Sequence, residues 1–157
     1  MKLLFVGPGQ CGKDTACELT AELTRLRNAG TFSKYLTPYV ASRLGVSEEQ
    51  AYAERHQNRE VWMSTGELVR KDDPTTLCRM AFAHGDISGG VRGLPEIVAI
   101  RERRIADLII WIDRDVPLDP TLNFGPEYAD VRISNHSTLA AFRDRLKHLF
   151  GLLRILK

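Results

Sequence analysis

The chain has 157 residues, 43% of them hydrophobic and 27% charged, with a formal net charge of +2. That length suits one ordinary domain, and so small a charge excludes broad electrostatic binding to nucleic acid. No stretch approaches the roughly 20 apolar residues that cross a bilayer, and the apolar start runs into a Gly-rich loop, not a signal cleavage site, so a cytoplasmic location is expected. Cys11, Cys17 and Cys78 form an odd set without CxxC spacing, which fits neither a disulfide framework nor a structural zinc site.

In chain order, residues 2–6 are an apolar run closed by Gly7-Pro8-Gly9, the pattern of a buried parallel strand. Residues 13–27 carry Ala16, Leu19, Leu23 and Leu26 near helical spacing, and Asn28-Ala29-Gly30 reads as a stop. Pro38 fits the first turn of a helix over 39–44 that Gly45 ends. Ser47, with Gln50 three residues on, reads as a capping box opening a helical stretch to about residue 62, with a break near Gly66. Asp73-Pro74 starts a helix over 75–84, residues 86–92 read as a Gly-interrupted strand, and 95–103 as a helix. Residues 107–113 form the clearest buried strand, 116–127 a long polar loop in which Asp119, like Asp115 just before it, is expected to be solvated, and 130–134 a last strand. Ser137 is the expected cap of a final helix with Leu139, Phe142, Leu146 and Leu149 on one face. Strands alternating with helices imply an α/β fold with a central parallel sheet covered on both faces.

Gly7-Pro8-Gly9-Gln10-Cys11-Gly12-Lys13 matches G-x-x-x-x-G-K, followed by Asp14-Thr15. Between a strand and a helix, such a loop turns successive backbone N–H groups inward, and the helix N-terminus adds its dipole. Gly9 and Gly12 allow close approach, Gln10 and Cys11 contribute backbone amides, and Lys13 can bridge the terminal phosphates of a nucleotide such as ATP. The motif places the chain in the three-layer αβα class of P-loop nucleoside triphosphate hydrolase-type folds. Asp14 stands where Ser or Thr normally ligates Mg²⁺, so either its carboxylate or the Thr15 hydroxyl is the metal candidate. Cys11, at a helix start, is a candidate for a lowered thiol pKa. A GTPase would need NKxD, which does not occur, and Asp86-Ile87-Ser88-Gly89 is a chance-level DxxG.

The GKDT ending of the loop resembles phage-type deoxynucleoside monophosphate kinases, members of the nucleoside monophosphate kinase superfamily. Further segments match in order: Arg59 through Gly66 to Arg70, then Asp73-Pro74; Val91-Arg92 with Glu96; Ile112-Asp113-Arg114; and Ile133-Ser134-Asn135 with Ser137-Thr138-Leu139. The resemblance implies one kinase domain over 1–157, with a helical substrate-binding region at about 35–84 and a lid-like loop at about 115–128. It implies transfer of the γ-phosphate of ATP, with Mg²⁺, to a (deoxy)nucleoside monophosphate, small-molecule partners only, and room for a homodimer. Lys13 would hold the donor. Arg59, Arg70 and Arg92 would clamp the acceptor, Arg92 and Arg114 would meet the moving group, and Arg114 would serve the donor or lid side. Lys34, Gly66 and Glu96 fall in acceptor segments, and Trp62 or Tyr39 could stack on a base. The commoner role of each arginine is a solvated or ion-paired one, and of Trp62 core packing. Arg101, Arg103 and Arg104 read as structural, and His56 and His136 as surface histidines. Two other readings share the loop: a kinase of the gluconate, shikimate or dephospho-coenzyme A type, and a nucleotide-binding module without turnover.

Overall fold

Residues 1–157 are described by a computed structural model. The first strand, β1 (Leu3–Val6), has all four side chains buried. It leads through the Gly-rich loop into α1 (Lys13–Leu23), after which β2 (Asn28–Thr31) runs into α2 (Phe32–Leu44). Three more helices follow before the next strand: α3 (Glu48–Ala53), α4 (Arg59–Val69) and α5 (Thr76–His84). The chain then forms β3 (Ile87–Gly89), α6 (Leu94–Glu102), β4 (Leu108–Asp113), β5 (Val131–Ser134) and α7 (Leu139–Leu152). A single 3₁₀ turn at Pro126–Tyr128 interrupts the long loop before β5.

The five strands form one sheet in the order β2-β3-β1-β4-β5, and every pairing is parallel. Strand alternation divides the core in two. Leu3 and Phe5 of β1 with Ile110 and Ile112 of β4 pack under α1 and α7, against Cys17, Phe142, Leu146 and Phe150. Leu4, Val6, Ile109 and Trp111 face the other way, into the layer built by α2 and α4–α6. The molecule is therefore a three-layer α/β fold with β1 at its centre, and the Gly-rich loop emerges from that centre.

Several expected boundaries move. Residues 28–30 form an edge strand, not a helix stop: Asn-Ala-Gly has little intrinsic strand preference, but pairing with β3 and a Ser88 Oγ bond to the Gly30 carbonyl at 2.6 Å hold it extended. Pro38 lies inside α2, which starts at Phe32, because burial of Phe32, Tyr35, Leu36 and Val40 outweighs one missing backbone bond. Ser47 caps α3 by accepting from the Gln50 amide at 3.1 Å, yet the Gln50 side chain turns to Glu54 at 3.2 Å, so half of the box forms. The break falls at residues 54–58, and α4 runs through Gly66. Thr138, not Ser137, caps α7, and Leu139 is exposed while Phe150 joins the buried face.

Candidate functional site

The loop of residues 7–12 closes over the C-terminal end of β1 and opens α1. Gly12, at φ 102°, is the residue before the helix, and an added Cβ would lie 2.6 Å from the Asn135 Nδ2. That amide, buried just after β5, donates to the Cys11 carbonyl at 2.9 Å and so ties the loop to the far strand. Gln10 also takes a left-handed conformation, at φ 63°, its side chain exposed. The Lys13 side chain is only 8% exposed, and its Nζ donates to the carbonyls of Gly7 at 2.9 Å and Pro8 at 2.6 Å. Burial lowers its pKa, with the nearby Cys11 opposing. The Cys11 thiol itself is pushed up by burial, against the opposing pull of Lys13, which corrects the expectation of a lowered value at the helix start.

Several groups converge on one carboxylate. Asp119, in the loop between β4 and β5, accepts from the Gly9 amide at 2.7 Å and from the guanidinium of Arg92, and the Arg59 Nη2 lies 3.6 Å from its other oxygen. Thr121 holds that second oxygen through its own amide at 3.0 Å and its hydroxyl at 2.6 Å. With a side chain 5% exposed, Asp119 is not the solvated loop residue its polar surroundings suggest. Burial alone would raise its pKa, but the Thr121 hydroxyl, the Arg92 charge and the Gly9 amide outweigh that and hold it below the usual carboxylate range.

Beside this cluster stands a second pair. Arg70, at the end of α4, lies with its guanidinium across Gly66, where an added Cβ would meet it at 3.1 Å. Its Nη1 is 3.8 Å from Glu96 Oε2, and the same oxygen accepts from the Arg92 amide at 3.4 Å. Glu96 is 2% exposed, and its Oε1 has no hydrogen-bond partner. Burial pushes its carboxyl up to about 7, against the opposing charge of Arg70. Trp62 is buried in the core edge-on to Tyr52, with its ring nitrogen unpartnered. Its burial fits the core-packing role that is the commoner one for such a ring, and Tyr39 lies exposed on α2.

The remaining candidates line two clefts. Lys34, Asp14, Glu18, Thr31, Glu48 and Tyr52 surround an open cleft of about 660 Å³ between α1, α2 and α3. Arg114 lines another, of about 340 Å³, with Pro8, Trp111, Asp113, Asp119 and Phe124. The structure thus brings Arg59 and Arg92 together on Asp119, which bonds the Gly9 amide of the Gly-rich loop, pairs Arg70 with Glu96, and leaves Lys34 and Arg114 in separate clefts. His136 sits between Asp113 and Asp115, 3.2 Å from each, and His56 is exposed. Arg101 pairs with Asp130 and Arg103 with Asp73, in keeping with structural roles.

The donor set bears on Mg²⁺. No group of three or more His, Cys, Asp and Glu side chains could by itself hold a metal. Asp14 is exposed in the first turn of α1, and Thr15 follows it. This suits Mg²⁺, which takes one or two protein oxygens and completes its shell with phosphate and water. No helix is long and apolar enough to cross a membrane.

No family model matches the chain, and no curated protein matches it. Among solved structures it is similar to the shikimate kinase from Aquifex aeolicus, at 14% sequence identity and a TM-score of 0.43, over 98% of this chain and 96% of that one.

Proposed function

We propose that the chain is an ATP-dependent kinase that transfers a phosphoryl group to a (deoxy)nucleoside monophosphate. The observation that carries this reading is the convergence of the Gly9 amide, Arg59 and Arg92 on one anionic group at the mouth of the G-x-x-x-x-G-K loop. Phosphoryl transfer asks the protein for little else, because catalysis there is positioning and neutralisation of charge spread over the moving group.

In this mechanism the loop amides and Lys13 hold the donor's phosphates, once the Lys13 amine leaves the Gly7 and Pro8 carbonyls. Arg59 and Arg92 bridge donor and acceptor, and Arg70, kept in place by Glu96, completes the acceptor side. The attacking phosphate oxygen is already anionic, so no general base is required. Asp14 and Thr15 are the residues that would hold Mg²⁺, which when bound with the nucleotide supplies further charge neutralisation. Arg114, which lines a cleft together with Pro8 of the loop, would cover the donor.

One observation favours a second reading, a kinase of another small metabolite: of the two aromatic residues that could stack on a base, Trp62 is packed in the core and Tyr39 alone is exposed. ADP release from ATP, measured across all ribo- and deoxynucleoside monophosphates, separates the two. Turnover with one or more nucleotides is expected, and Lys13→Ala should lower it by about 10²–10³-fold. ATP binding without turnover on any nucleotide would shift the reading to the other acceptor class or to a non-catalytic module, and full activity in Lys13→Ala would sink the loop mechanism.

A further inference from the structure

A carboxylate presents the same kind of anionic oxygens that phosphate does, and amides and guanidinium groups bind both. Asp119 uses that likeness within its own chain. Its Oδ2 lies 2.7 Å from the Gly9 nitrogen and 3.0 Å from where a Cβ on Gly9 would stand, so it rests directly on the loop backbone. While it stays there, Gly9, Arg92 and Arg59 are all engaged and no phosphate oxygen can take the Gly9 amide. Thr121 fixes the carboxylate through two bonds to its other oxygen. Lys13, meanwhile, is satisfied by carbonyls of its own loop.

The segment that carries Asp119 is built to hold and to leave. Leu118 beside it is 93% exposed. Behind it, Phe124 packs edge-on to Trp111, and Asn123 bonds to the backbone of Leu94 and Arg92. We propose that Asp119 is an internal competitor of nucleotide phosphate: it occupies the anion site of the empty enzyme, and the loop must withdraw before a triphosphate can seat. Withdrawal frees Arg59 and Arg92 in the same event, so donor binding and arming of the acceptor site are coupled. This rests on the phosphate-binding reading of the loop given above.

Competition lowers apparent affinity by the fraction of molecules whose site is open. Equilibrium binding of ATP and of inorganic tripolyphosphate, which has phosphates but no base, would be measured on the wild type, Asp119→Asn and Thr121→Ala. The wild-type Trp111 emission should change as either ligand displaces the loop. Asp119→Asn should bind both ligands about tenfold more tightly. Thr121→Ala, which keeps the carboxylate but loosens it, should gain a smaller factor and covers the case in which Asp119→Asn folds poorly. Equal or weaker binding in the variants overturns the proposal, as does a fall in kcat with no gain in affinity, which would make Asp119 part of the reaction. If the wild type turns over nucleotides and the variants gain nothing, only the competitor idea falls; if no protein binds either ligand, the phosphate-loop reading falls with it.

Discussion

Glu96 keeps one oxygen without a partner, while the other faces Arg70 at 3.8 Å and the Arg92 amide at 3.4 Å. Its carboxyl is pushed from 4.5 up to about 7, chiefly by burial, so between those values the folded chain holds a proton that the unfolded chain has lost. Stability therefore falls as pH rises through that window, by about 3 kcal/mol from this group, and levels off above it. Glu96→Gln should remove this slope, so urea melts at pH 5 and pH 8 should favour the variant increasingly at the higher pH; parallel curves would contradict the assignment. Arg92 is a different case. Arg92→Ala should lower kcat/KM by about 10²–10³-fold, and because it takes a partner from the nearly buried Asp119 carboxylate the melting temperature should fall as well. Lys13, Arg59, Arg70 and Arg92 were legible as candidates because motif and order singled them out. Asp119 was not. Its partner lies 110 residues away in the chain, and the local Asp-Pro-Thr turn reveals only a loop.

At the scale of elements, the Gly-rich loop is held by what surrounds it. Gly12 at φ 102° meets the Asn135 amide, and Gly45 at φ 67° ends α2 with nothing within 4 Å of an added Cβ. Gly45→Ala should cost only the left-handed strain of about 1 kcal/mol. Gly12→Ala should cost more, about 2–3 kcal/mol, because the new methyl also displaces Asn135 from the Cys11 carbonyl. Thermal melts of the two variants compare them directly, and equal losses would show that Asn135 yields freely. Elements with a strong local pattern, β1, β4 and α6, could be read to within a residue or so. The edge strand β2 could not, since only its pairing with β3 makes it extended, and the start of α2 was hidden because Pro38 suggested a first turn that tertiary burial overrides.

Across the whole molecule, the parallel sheet places β1 between β3 and β4, so the Gly-rich loop, the Arg92 segment after β3 and the Asp119 loop after β4 all emerge at one edge. The α/β class followed from alternating strands and helices, but the strand order that creates this meeting point depends on long-range pairing that no local pattern encodes. In the proposed reaction this convergence moves a phosphoryl group between two bound molecules and does not release it to water. Incubation with γ-labelled ATP and the nucleoside monophosphates, followed by separation of the products, tests it most directly. The label should appear in a nucleoside diphosphate, and label found only in ATP and inorganic phosphate would contradict the proposed transfer.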